Sequence, residues 1–138
     1  MRKGRAGGTG TRKGMTAPQA RVVADLLRRF EWFHHGDCVG ADKEMHDIAT
    51  SLGLKTAAHP PLDEKLRAFC KADVVFRPKE YIDRNHDVVL MTEELIAASG
   101  SMAEELRGSG TWATIRYARK LRRLVTIVFP DGSVEFSP

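Results

Sequence analysis

The sequence predicts an α/β fold of the Rossmann-like kind: a three-layer sandwich with a mostly parallel central sheet and a C-terminal β-hairpin. Two observations carry this. Short apolar runs alternate with segments of helical period along most of the chain, as parallel strands covered by helices require. Three glycine-bearing turns, Gly8 to Arg12, Gly36 to Asp42 and Gly108 to Thr111, each stand where a helix is about to open. The length of 138 residues suits a single domain over residues 1–138, large enough to bury a core. At 42% hydrophobic and 29% charged, the composition excludes disordered and fibrous classes.

Residues 1–14 resist assignment. Five glycines (Gly4, Gly7, Gly8, Gly10, Gly14) weaken any strand, and no Val, Ile, Leu or Phe anchors one. Gly8-Thr9-Gly10-Thr11-Arg12 reads as a turn leading toward a helix, and whether a strand precedes it is left open. The next helix begins at Thr16 as cap with Pro18 in its first turn, and Val22, Val23, Leu26, Leu27 and Phe30 recur at helical spacing. Trp32-Phe33-His34 is a short strand ended by His35-Gly36. After the Gly36–Asp42 turn, a helix carries Ala41, Met45, Ile48 and Ala49 on one side, with Gly53 as its stop.

Leu54 to His59 is the next strand, stopped by Pro60-Pro61. Leu62 to Lys71 is a helix candidate and Asp73 to Phe76 a short extended piece. Tyr81 to Thr92 fits a helix with Arg84 and Asn85 near its start. Glu94 to Ala98 is a buried strand, and a helix follows from about Trp112 to Arg122. Leu124 to Phe129 is the clearest strand; Pro130-Asp131-Gly132 then turns the chain so that Ser133 to Phe136 pairs back.

In an open parallel sheet the strand-to-helix loops share the carboxyl edge, and ligands bind where the strand order reverses. With a Rossmann order the first and fourth strands are neighbours, so the Gly8–Arg12 and Gly108–Thr111 loops flank that crevice. Glycines allow close approach of the backbone, first-turn amides lack intrahelical partners, and the helix dipole favours an anion. Ser109, Thr111 and Thr114 add hydroxyls, and Arg12 adds charge.

The individual residues admit two readings each. Asp42 either contacts a ribose hydroxyl or sits in a first helical turn where negative charge is favourable. His35 is either a base or phosphate donor, or packs at a strand end. Trp112 stacks on a nucleobase or packs under its helix. Cys38 reads as incidental, since nothing nearby in sequence lowers a thiol pKa. His34, His35, His46, His59 and His86 lack metal-ligand spacing, so no metal is expected, and no cofactor is implied.

A net charge of +4, from 22 basic and 18 acidic residues, suits a phosphate-bearing partner. Arg2, Lys3, Arg5, Arg12 and Lys13 precede the first acid, Asp25. Arg116, Arg119, Lys120, Arg122 and Arg123 form a second cluster, with Arg116, Arg119 and Arg123 on one helical face. No apolar run approaches the ~20 residues of a membrane helix, no secretory signal is expected from the basic, glycine-rich start, and a cytoplasmic location is expected.

Gly10-Thr11-Arg12, His35-Gly36 with Gly40-Ala41-Asp42, Arg84-Asn85, and Arg107-Gly108-Ser109-Gly110-Thr111-Trp112-Ala113-Thr114 occur here in that order. Together they resemble the SLOG superfamily, named for the DNA-processing protein A (Smf) and Lonely Guy families. The similarity is greatest to its small stand-alone members, called lysine decarboxylase-like or Rossmann-fold nucleotide-binding proteins, and runs from about Gly8 to Val134. The resemblance implies a nucleotide-binding Rossmann-like domain, often dimeric, with those residues at the ligand. Lonely Guy enzymes, which cleave the N-glycosidic bond of cytokinin ribotides, have a glutamate where this chain has Thr114; a hydroxyl cannot replace that carboxylate. The first strand also departs, with Ala6-Gly7-Gly8 in place of an apolar run.

Two functions remain open at this stage. One is a binder of a nucleotide or nucleotide derivative, as a sensor or sequestering module or as an N-glycosidic hydrolase using Asp42, Asp37 or Glu104. The alternative is a single-stranded nucleic-acid binder that uses both basic clusters along the backbone.

Overall fold

The computed structural model describes residues 4–137. Among them seven strands form one sheet in the order β4-β3-β2-β1-β5-β6-β7. The strands are β1 Arg5–Gly10, β2 Trp32–His35, β3 Lys55–Ala58, β4 Val74–Val75, β5 Glu94–Ala98, β6 Leu124–Val128 and β7 Val134–Ser137. Four helices alternate with them: α1 Ala17–Leu27, α2 Ala41–Ser51, α3 Tyr81–Leu90 and α4 Gly110–Lys120. All pairings are parallel except β6 with β7, where Val128 faces Val134 across the predicted hairpin.

The glycine-rich start is the central strand of the sheet. β1 pairs with β2 on one side and β5 on the other, from Ala6 opposite Glu94 to Gly10 opposite Ala98. Its glycines are there for space. A Cβ at Gly7 would lie 2.7 Å from Thr92 Oγ1 and 3.0 Å from Val88 Cγ1 of α3. On the opposite face, a Cβ at Gly8 would overlap the Phe33 ring, and one at Gly10 would meet Ala41 of α2 and come within 3.1 Å of the Ala98 carbonyl. Propensity disfavours glycine in strands, but here contacts from both faces exclude any side chain.

The helices begin as their caps dictate. Thr16 closes a capping box: its hydroxyl accepts from the Gln19 amide, and the Gln19 side chain accepts from the Thr16 amide. Buried Gln19 also donates through Nε2 to the carbonyls of Ser99 and Val128, at 2.7 and 3.0 Å, fastening α1 to the ends of β5 and β6. One apolar cluster unites α1, α2 and the sheet around Phe33, Leu27 and Met45. A second, on the other face, gathers Trp112, Ile115, Leu95 and Ile127.

Two expectations are corrected. Residues 62–71 are not helical; the segment is a loop tied down by Asp37, whose carboxylate accepts from Arg67 Nε at 2.8 Å and from the Cys70 amide at 2.9 Å. Pro60 and Pro61 and these competing side-chain bonds favour a loop. The last helix runs from Gly110 to Lys120, two residues earlier than expected at each end, with Ser109 as its N-cap. Arg122 takes a positive φ of 57° and Arg123 leads into β6, so Arg123 does not share a helical face with Arg116 and Arg119.

Replacing Gly8 by Val forces two methyl-bearing branches into the space of Phe33 and Met45. Overpacking of this kind costs about 1–3 kcal/mol, and loss of that much stability in urea titration is the expected outcome. A midpoint equal to wild type would show that β1 does not lie this close to its neighbours.

Candidate functional site

The reversal of strand order falls between β1 and β5, and a cavity of about 290 Å³ opens there at the carboxyl edge. The three glycine-bearing turns meet around it: Gly8 to Lys13 after β1, Gly36, Cys38 and Asp42 after β2, and Gly108 to Thr111 before α4. Tyr81, Arg84 and Asn85 of α3 form another wall, and Gly100 and Glu105 complete the rim. The turns are joined by backbone bonds. The Thr11 amide donates to Ala98 at 3.0 Å, and the Ala41 amide donates to Thr11 at 2.9 Å.

Gly40 shapes this junction without lining it. Its φ of 95° lies in the left-handed region, and a Cβ there would press on the Arg12 backbone. Ala41 is fully buried against Gly10. Thr114 points its hydroxyl back to the Gly110 carbonyl at 2.8 Å and is buried. Trp112 is 3% exposed within the second core cluster, so it packs and is not placed for stacking on a base. His35 is fully buried beside the site. These five residues therefore support the cavity walls. Gly10, Thr11, Arg12, Gly36, Asp42, Arg84, Asn85, Gly108, Ser109, Gly110 and Thr111 line the cavity.

The rim and the floor differ in charge and exposure. Arg12 and Lys13 are exposed at the mouth. Asp42, Cys38 and Arg84 are buried at the floor. Arg84 donates to the Gly36 carbonyl and, at 3.2 Å, to Cys38 Sγ, and lies 3.9 Å from Asp42 Oδ2. Its Nε has no hydrogen-bond partner. Burial pushes the Asp42 carboxyl up to about 6, against the opposing pull of Arg84. Burial likewise raises the Cys38 thiol, which keeps it protonated and weakly nucleophilic.

The other two carboxylates considered for catalysis are committed elsewhere. Asp37 is fully buried in its pair with Arg67, and Glu104 pairs with Arg116 at 2.9 Å. Arg119 is held by Glu135 at 2.9 Å and by Ser137. These bonds occupy two of the arginines in the second basic cluster. Tyr81, Gly100 and Glu105 were not singled out in sequence, since no spacing rule joins them to the glycine turns.

The histidines are brought together in a way their spacing does not show. The ligand atoms of His35, His46 and Cys70 lie within 4.8 Å of one another. The hydrogen bonding, however, assigns protons instead of a metal. His35 Nδ1 accepts the Asp37 amide at 3.0 Å, so Nε2 carries the proton and donates to His46 Nδ1 at 3.1 Å. A ligating histidine does the reverse, donating its far N–H to an acceptor. Burial, the largest cause, and then neighbouring His46 hold His35 well below its usual range, keeping the pair neutral.

The Asp42 carboxyl has a raised pKa when folded, so it binds a proton more readily in the native state. Its contribution to stability is present below 3.8 and is lost as pH rises toward about 6. The stability of wild type relative to Asp42→Asn is therefore expected to fall by on the order of 2–3 kcal/mol between pH 4 and pH 7. Paired urea titrations at the two pH values check this, and a constant difference would contradict it.

No family model and no curated protein matches the sequence. Solved structures do. A molybdenum cofactor binding protein from the phototrophic bacterium Rippkaea orientalis superposes with TM-score 0.72 at 20% identity, covering 94% of this chain and 78% of that one. The Moco carrier protein of Chlamydomonas reinhardtii gives 0.66 at 22% identity, covering 91% and 76%. DNA processing protein A of Streptococcus pneumoniae gives 0.66 at 21% identity, covering 91% of this chain but only 50% of that one. At these identities the likeness concerns architecture: the chain shares the Rossmann-like fold of these proteins.

Proposed function

We propose that this protein, as a single domain, binds a phosphate-bearing nucleotide or nucleotide-derived ligand in the crevice between β1 and β5. The observation that carries the reading is the convergence of three glycine-bearing turns and two cations, Arg12 and Arg84, on one cavity. An anion entering it meets helix-terminal amides, hydroxyls of Thr11, Ser109 and Thr111, and a guanidinium at the rim. That combination is what phosphate recognition requires. The floor, with buried Asp42 and Arg84, suits the polar edge of a base or sugar. The resemblance to SLOG proteins and the likeness to structures named as molybdenum cofactor carriers support a binding or carrier role. The same reading includes the dimeric assembly that the resemblance implies and the cytoplasmic location expected from the sequence.

Binding is favoured over N-glycosidic hydrolysis. Thr114 stands where the Lonely Guy glutamate would be, and Asp42 is the one carboxylate among those considered that reaches the cavity floor. The single-stranded nucleic-acid alternative is less well supported, because Arg116 and Arg119 are held in internal pairs.

Ligand at 100 times its Kd stabilises a protein by about 2.7 kcal/mol, which for a chain of this size is a Tm rise of roughly 10 °C. A thermal-shift screen of nucleoside mono- and diphosphates and molybdenum cofactor is expected to yield such a shift, reduced at equal concentration in Arg12→Ala. Oligonucleotide retention with steep salt dependence, and no small-ligand shift, would establish the alternative instead.

A further inference from the structure

Tyr81 opens α3, and its side chain crosses the crevice to the start of α4. The hydroxyl rests against Gly110, and any Cβ at residue 110 would overlap it. This explains the glycine differently from close approach by a ligand: Gly110 makes room for a side chain of the protein itself. The Tyr81 hydroxyl has no hydrogen-bond partner among the described residues, although it lies in the wall of the cavity.

Its ring is flanked by charge. The Arg12 guanidinium carbon is 5.8 Å from the ring centroid and that of Arg84 is 5.3 Å from it, both within the range of cation–π attraction. Arg84 is 4% exposed with Nε unpartnered, so the buried cation is not fully satisfied within the protein. The Ser109 hydroxyl accepts from the Trp112 amide at 3.2 Å and keeps its own O–H to donate. The amides of Gly110 and Thr111, in the first turn, have no intrahelical acceptors.

We propose that Tyr81 is a ligand-binding residue: its hydroxyl donates to an oxyanion of the phosphate class seated at the α4 N-terminus, and its ring holds Arg12 and Arg84 toward that anion. This rests on the phosphate reading of the crevice given above. A tyrosine that merely plugged the helix end would accept a hydrogen bond from a first-turn amide. Here the hydroxyl lies on the Cα side of Gly110 and makes no hydrogen bond with the Gly110 or Thr111 amide. The arrangement completes a ring of donors drawn from α3, α4 and the turn after β1.

The probe is inorganic pyrophosphate, titrated by calorimetry and by phosphorus NMR against wild type, Tyr81→Phe, Tyr81→Ala and Arg12→Ala. Tyr81→Phe keeps the ring and removes one hydrogen bond to a charged group, so affinity is expected to fall about 10-fold or more with an unchanged urea midpoint. Tyr81→Ala loses more, because the two guanidiniums also lose their support. Affinity of Tyr81→Phe within twofold of wild type, or tighter, overturns the assignment. If Arg12→Ala weakens binding while Tyr81→Phe does not, the phosphate site stands and only the role of Tyr81 falls. If wild type itself does not bind pyrophosphate, the phosphate reading fails and the Tyr81 assignment with it.

Discussion

The structure depends on how closely its helices approach β1. With glycine at 7, 8 and 10, the central strand presents bare backbone to α3 on one face and to Phe33, Met45 and α2 on the other. The walls are thereby drawn in to contact distance. β1 and β5 then pair over five residues and carry their turns to a shared rim. A strand of valines would have offered more apolar area, and a wider sandwich. The glycines exchange strand propensity for proximity, and the crevice follows from that proximity.

Around the crevice the protein separates two electrostatic environments. At the rim, Arg12 and Lys13 are solvated and available to a ligand's charge. At the floor, Arg84 and Asp42 are buried together at a separation longer than a hydrogen bond. Each charged group keeps the other's cost of burial down, but neither is fully satisfied: Asp42 is pushed toward the proton-bound form, and Arg84 retains an unpartnered Nε. A floor of this kind is better matched by a polar guest than by a hydrophobic one. Behind it the Asp37–Arg67 pair anchors the 62–71 loop and the His35–His46 hydrogen bond ties β2 to α2, so the β2 side of the site has a hydrogen-bonded backing.

Where local pattern governs, the sequence was readable. The Thr16 cap, the apolar stripes of α1 and α2, the β6 run and the Pro130-Asp131-Gly132 turn all produced the elements they signal. Most of the cavity lining was legible too, because glycine turns before helices identify themselves. Where partners distant in sequence compete with local preference, reading failed. β1 was obscured because its glycines are selected by Val88, Thr92, Phe33 and Ala41, none of them neighbours along the chain. The 62–71 segment has helical composition, but Asp37 takes its bonds. Trp112 was ambiguous because one residue's position in a helix does not say which face meets the sheet.

By itself, then, the sequence determined the alternation of strands and helices, the hairpin, and the existence of three anion-competent turns, since each is a matter of periodicity, capping and backbone freedom over a few residues. The tertiary structure alone decided that the glycine-rich start is the central strand, that Arg84 is buried beneath the shared cavity beside Asp42, and that Tyr81 reaches across to Gly110. These are relations between residues dozens of positions apart. They depend on strand order and on which side chains are excluded from between the layers, and neither is encoded in any single local stretch.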